Sequence, residues 1–262
     1  MAGPIEQFVV KPLHELGTVN VPVLGEQLIA ITNSHIAMTL AFIVIVGFLT
    51  LATRKNAVVP GRMQAAGETL FGMVDGLTSS IIGHDGKKYF PFAFTMFLLV
   101  LAMNLLGMFL TFTATSQLAI TLTLGLISFL TVVVVGFVKN GLGFFKLFWP
   151  ASAPLVLRPV VGIIEFVSFL MRPATLALRL FGNMLGGHVA LKIFAQFCVS
   201  LGAAAIAGGG LAYALFGVAA LSMGMTVAMT ALEFLVAFLQ AFVFTVLTCI
   251  YLNDVVNLGE GH

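Results

Sequence analysis

The sequence predicts an all-α polytopic membrane protein with about five membrane helices and one interfacial amphipathic helix. Its last two membrane helices are expected to be long and steeply tilted, forming a hairpin. Three observations carry this. Of 262 residues, 60% are hydrophobic and 8% charged, against about 25% charged in ordinary soluble domains. The apolar residues fall in several long runs, without the alternation over about ten residues that marks barrel strands. Two of the runs, at about 160–200 and 211–252, approach forty residues. A bilayer-spanning helix needs about twenty, at 1.5 Å per residue. Either each run breaks, the first at Pro173, Gly182, Gly186 or Gly187, or each is a tilted helix. The tilted hairpin is the favoured reading, with Gly208, Gly209 and Gly210 marking its turn.

Residues 1–33 mix Pro4, Pro12 and Pro22 with Glu6, Glu15 and Glu26. They lack the continuous apolar centre of a signal peptide and read as a mature external segment. The first span, 34–53, is uncharged from Ile36 to Ala52, and Arg54, Lys55 and Arg62 follow it. The positive-inside rule puts those cations in the cytoplasm and the N-terminus outside. Over 62–84, Ala66, Leu70, Met73, Leu77 and Ile81 recur at helical steps, while Glu68 and Asp75 occupy another face. That pattern predicts a helix lying at the interface. A helical hairpin follows over 89–138: Phe90 to Phe112, with Asn104 its one strong polar group, then an external turn at 113–117, then Leu118 to Val138. Lys87, Lys88, Lys139, Lys146 and Arg158 join the internal cations. The long hairpin covers 159–252 and leaves 253–262 as a cytoplasmic tail.

Composition also excludes functions. A net charge of +2 with scattered basic residues does not suit nucleic-acid binding. Cys198 and Cys249 lie in apolar runs without CxxC spacing, and they read as core residues with no disulfide and no metal site. No cofactor motif or catalytic site is visible. No internal repeat appears, which weighs against an inverted-repeat transporter.

The functional signal is Arg179. An arginine at mid-membrane costs about 2.5–3.5 kcal/mol on insertion scales and cannot shed its proton. It needs an anionic partner or a water path. At about 100° per residue, Glu165, Ser168, Arg172, Thr175 and Asn183 lie within about 40° of Arg179, a polar stripe roughly 27 Å long. His188 falls on the opposite face. A buried network joining helices is the bland alternative. A water-lined ion path explains the arginine better.

The last helix offers matching groups. Glu233 is the one acid between Glu165 and Asp254, and Thr226, Gln240 and Tyr251 lie within about 20° of it. Pairing His188 with Glu233 in an antiparallel hairpin sets Arg179 opposite Phe242, within a turn of Gln240, and Glu165 near Asp254. The pair joins an acid to an imidazole, which suits proton passage and favours H⁺ over Na⁺.

These residues resemble subunit a of the F-type ATP synthases, in its alphaproteobacterial and mitochondrial branch. The likeness is close over Arg179-Leu-Phe-Gly-Asn-Met184, Leu239-Gln-Ala-Phe-Val-Phe244 and Ile250-Tyr-Leu-Asn253. It extends more loosely over the chain, including Met103-Asn-Leu-Leu-Gly107 and Pro4-Ile-Glu-Gln-Phe8. The resemblance implies a proton-translocating stator subunit with two offset aqueous half-channels against a ring of c subunits, Arg179 standing between them. It further implies b-type peripheral-stalk partners and a multi-pass place in the bacterial inner membrane, or alternatively the mitochondrial inner membrane. The C-terminus would be cytoplasmic.

By the same resemblance Gln240 faces Arg179, and His188 with Glu233 matches an acid–imidazole pair that some members carry in reversed order. Glu165, Arg172 and Thr175 match polar positions near the cytoplasmic half-channel. Gly182, Gly186 and Gly187 are expected to face or flank the ring. Some bacterial members have an acid where this chain has Gly107. The external entrance then rests on Asn104, His188 and Glu233, with Gln117 or His14 as further candidates. An ion-coupled secondary transporter is the rival reading, but neither a substrate cavity nor paired repeats is visible.

Overall fold

The computed structural model describes residues 12–21, 25–54, 59–109, 113–149, 157–206 and 212–258. The first two elements are strands, β1 (Pro12–Val21) and β2 (Gly25–Thr32), paired antiparallel from Pro12 opposite Thr32 to Val21 opposite Gly25. The sequence reading assigned this segment no element. Everything described beyond it is helical or a short connection, so the all-α membrane architecture holds.

Helix α1 (Asn33–Thr53) begins where the His35 Nδ1 accepts a hydrogen bond from the Thr32 backbone N–H at 3.2 Å. That is the return half of a capping box, so His35 is occupied in starting the helix. Helix α2 (Arg62–Ile82) buries Val74, Thr78 and Ile82, with Leu70, Met73 and Ile81 packed beside them. This is the apolar stripe read from the sequence, displaced enough that Ala66 stays exposed. Gly83 ends α2 at φ 77°, a left-handed conformation that glycine adopts without strain. In the turn that follows, Asp85 takes Lys88 at 3.0 Å and Lys139 at 2.6 Å.

Helices α3 (Gly86–Phe109) and α4 (Leu118–Asn140) cover the segment expected to be a middle hairpin, but they pack on other helices more than on each other, α3 on α6 and α2 and α4 on α5 and α6. Helix α3 starts earlier than expected, at Gly86, and carries Pro91 inside it. Helix α5 (Arg158–Ile206) has 49 residues and α6 (Ala212–Val256) has 45. At 1.5 Å per residue they measure about 74 and 68 Å, more than twice the roughly 30 Å hydrocarbon core. Neither breaks. Pro173 sits inside α5 and is buried, and its carbonyl stands 2.7 Å from where a Cβ on Gly125 would be. The bare glycine of α4 thus lets two backbones close at the proline.

The core gathers on α6, with Phe244, Leu252 and Val255 fully buried alongside Phe97 and Val100 of α3, Val132 of α4, Leu180 of α5 and Val74 of α2. Helix α5 is different. Only its inner edge (Phe169, Leu176, Leu180, Met184) is buried, while Ile163, Ile164, Phe166, Leu170 and Leu178 are exposed. In water such a surface would be untenable; in a membrane it meets lipid or a partner.

Candidate ion path

Arg179 occupies the exposed side of α5, as do Glu165, Ser168, Thr175 and Asn183. The stripe drawn from helical periodicity is therefore a real open face. Among the described residues no carboxylate lies within ion-pair distance of Arg179. Its fixed charge has no compensating carboxylate among the described residues.

Two stripe residues turn to α6. Asn183 Nδ2 donates to Gln240 Oε1 at 2.9 Å. Arg172 Nη1 stands 2.8 Å from Asp254 Oδ2, and its guanidinium lies 4.5 Å from the Tyr251 ring centroid and 5.3 Å from that of Phe169. A planar cation between aromatic faces, with a carboxylate at its edge, is a fixed group. Its side chain remains 19% exposed, so it can still touch water or a neighbouring surface.

On the other side of α5, His188 Nδ1 faces Glu233 Oε2 at 3.8 Å. That is too long for a direct hydrogen bond and short enough for one intervening water or a small side-chain shift. The pairing made from the sequence is thus the one observed. Glu233 is 8% exposed, and its Oε1 has no hydrogen-bond partner. A buried acid with an unsatisfied oxygen is poised to bind a proton or a water. Asn104, fully buried, donates from Nδ2 to the Ala237 carbonyl at 3.2 Å, one turn along α6 from Glu233, and leaves its own Oδ1 unpartnered.

The register fits the sequence reading at Gln240 and corrects it at Asp254. Gln240 is held by Asn183, one turn beyond Arg179. Asp254 is held by Arg172, where Glu165 had been expected near it. Between the His188–Glu233 and Arg172–Asp254 pairs, α6 uses five more residues than α5, about 7.5 Å of rise. A constant antiparallel register cannot contain that offset. The long Arg172 side chain spans it.

The glycines divide as well. Gly182 and Gly186 have nothing within 4 Å of a built Cβ, as an outward face requires, but a Cβ on Gly187 would meet Glu233 Oε1 at 2.8 Å. Gly187 therefore makes room for the acid and does not face outward. Thr113 was missed altogether: its hydroxyl stands 3.1 Å from His188 Nε2. A threonine in a short polar turn carries no periodicity that would single it out. Of the further entrance candidates, Gln117 occupies the N-cap position of α4 without a side-chain cap bond, and the side chain of His14 lies outside the described residues. So does the triple-glycine turn.

Comparison with known proteins gives the family. The family model described as ATP synthase A chain matches residues 35–253. The protein named ATP synthase subunit a from Nitrobacter hamburgensis is 46% identical over 261 residues, covering 99% of this chain and 100% of the relative. The protein of that name from Hyphomonas neptunium is 46% identical over 260 residues, 99% of this chain and 97% of the relative. Its counterpart from Rhodopseudomonas palustris strain HaA2 is 44% identical over 260 residues, 99% of each chain. With five long apolar helices among the described residues and near full-length likeness to alphaproteobacterial relatives, the chain belongs to the ATP synthase A chain family, subunit a of the F-type ATP synthase membrane sector.

Proposed function

We propose that this chain is the stationary half of a rotary proton path, with two offset half-channels meeting a ring of c subunits at the Arg179 face. The observation that carries the reading is Arg179 itself. It is an exposed, permanent cation on an apolar helix, without an anionic partner among the described residues. A membrane cation so placed calls for a carboxylate from another chain. A ring presenting one carboxylate per subunit supplies it repeatedly.

Protons enter from the outer side past Asn104, His188 and Glu233, whose unpartnered buried oxygens offer places for water. Transfer to a ring carboxylate neutralises it and lets it turn into lipid. On return it ionises towards the cytoplasm along Glu165, Thr175 and the Arg172–Tyr251 cluster. Arg179 favours the ionised carboxylate as it passes and blocks a direct proton leak between the half-channels. Asn183 and Gln240, bonded to each other beside it, close the gap between α5 and α6. A membrane potential of 100 mV contributes about 2.3 kcal/mol per proton.

The cations at Arg54, Arg62, Lys88, Lys139 and Arg158 support, by the positive-inside rule, a topology with the N-terminus outside and the C-terminus in the cytoplasm of a bacterial inner membrane. In this reading α2 lies along the cytoplasmic interface, and the exposed apolar faces meet lipid and b-type stalk subunits. The decisive experiment is Arg179→Ala in energised membranes. Coupled ATP synthesis should be lost, and Arg179→Lys should fail too, because a buried ammonium can deprotonate and lacks the planar fork. Near-normal proton-driven synthesis in Arg179→Ala would overturn the reading.

A further inference from the structure

His188 has two ring nitrogens, and which of them handles the mobile proton depends on what holds the other. Thr113 holds it. The Thr113 hydroxyl, 1% exposed, lies 3.1 Å from His188 Nε2 and 3.2 Å from the Gly107 carbonyl oxygen. A hydroxyl has one hydrogen to give. Gly107 is in the last turn of α3, where carbonyls run out of helical partners, and a buried carbonyl left unpaired is costly. With the hydrogen given to Gly107, the Thr113 oxygen accepts, so His188 Nε2 is the protonated nitrogen. Nδ1 then carries the lone pair and faces Glu233.

This arrangement serves neutral imidazole and imidazolium alike. In both, Nε2–H donates to Thr113, and Nδ1 alone gains or loses a proton. The reversed hydroxyl would suit only the neutral ring and would give up the hydrogen bond to the Gly107 carbonyl. Gly107 is part of the device: a Cβ there would overlap the Thr113 methyl Cγ2. The missing side chain at Gly107 is what admits the threonine.

We propose that Thr113 is a positioning residue of the proton path, fixing His188 as the Nε2–H tautomer so that the proton is taken up and released at Nδ1. The proposal rests on the proton-path reading above. In the step, a water-borne proton bonds to Nδ1; that N–H bond breaks as the proton joins Glu233 Oε2, directly or through one water. The ion pair thereby becomes a neutral imidazole and a neutral acid, and the Nε2–H bond is untouched throughout. The ring does not pass protons from one nitrogen to the other, so it needs no flip to reset.

The test uses the whole ATP synthase complex in membranes, with ¹⁵N-labelled histidine. Solid-state NMR assigns the His188 signal by difference against His188→Gln, at a pH where the ring is neutral. The expected result is the Nε2–H tautomer in the parent and in Thr113→Ser, and a mixture in Thr113→Val. ATP-driven proton pumping should fall about tenfold in Thr113→Val and stay within about twofold of the parent in Thr113→Ser. Gly107→Ala should impair pumping alone and recover when combined with Thr113→Ser, which removes the overlapping methyl. An Nδ1–H tautomer in the parent, or an unchanged Nε2–H signal in Thr113→Val, overturns the proposal whatever the pumping rate. Normal pumping by His188→Gln would instead sink the proton-path reading, a separate failure.

Discussion

Gly187 lies against the Glu233 carboxylate, so that a Cβ built on it would stand 2.8 Å from Oε1 and 3.3 Å from Cγ. Its neighbour Gly186 has nothing within 4 Å. Consecutive glycines of one helix thus do different work, one making space for an acid inside the chain and the other leaving the outer face smooth. Gly187→Ala should push Glu233 off its present position and slow ATP-driven proton pumping at least several-fold. Gly186→Ala should leave it within about twofold. Equal effects of the two substitutions on pumping would remove the distinction.

Gly186 can be tested further from the outside. A small residue permits close helix approach, so Gly186→Leu should weaken association with the ring while leaving this chain folded. Co-purification of ring subunits with the Gly186→Leu chain measures it directly. Undiminished ring recovery together with normal pumping would show that this face has room to spare.

Helical periodicity made the stripe around Arg179 legible, because angles within one helix depend only on residue spacing. The same arithmetic puts Gly186 about 20° from Arg179 and Gly187 about 80° away on the His188 side, so the glycines were separable in principle. His188 and Glu233 were legible because a lone imidazole and a lone acid in long apolar runs need each other. Relations between helices were less accessible. The Arg172–Asp254 pair depends on an offset that no constant register contains, and Thr113 meets His188 through a turn whose path local sequence does not dictate. The N-terminal strands lie in a segment whose prolines and glutamates obscured any alternation.

Arg172 and Asp254 can be separated by charge. Both side chains are partly buried, at 19% and 30% exposure, and removing one leaves the other poorly solvated. Hydrogen bonds to charged groups contribute about 1.5–3 kcal/mol, with the lower end appropriate here because water screens the pair. Asp254→Asn should therefore lower the thermal stability of the complex and loosen Arg172 from Tyr251. The charge exchange Arg172→Asp with Asp254→Arg should recover stability better than proton release, since it moves the cation off the open face of α5. Full recovery of both would show that the position of the cation is immaterial.

Cross-linking tests the register between the long helices. Asn183 and Gln240 share a hydrogen bond of 2.9 Å between their side-chain tips, so cysteines at 183 and 240 should be joined readily by a short bifunctional thiol reagent that spans the space the two long side chains fill. Cysteines at 179 and 240 should link more slowly, because Arg179 points from the exposed side of α5. Both pairs should be examined in a background lacking Cys198 and Cys249. Faster linking at 179 and 240 would contradict the Asn183–Gln240 contact.

His188 and Glu233 should act as one unit. Their nearest atoms are 3.8 Å apart, Glu233 Oε1 is unpartnered, and both side chains are about nine-tenths buried. Removing either leaves the other without its counterpart, and titrations of such neighbours are coupled. His188→Ala and Glu233→Ala should each slow proton uptake from the outer side more than release to the cytoplasm. The exchange His188→Glu with Glu233→His keeps one acid and one imidazole on the same path. Gly187 keeps the space beside position 233 open in the exchanged chain too. Thr113, however, would then face a carboxylate in place of Nε2–H and would have to turn its hydrogen away from Gly107. Recovery should therefore be partial, and greater when Thr113 is present than in Thr113→Val. Vesicles carrying each single variant and the exchange, assayed for ATP-driven pumping and passive proton conductance, decide the matter. An exchange no better than its two single defects combined would mean that the residues act independently.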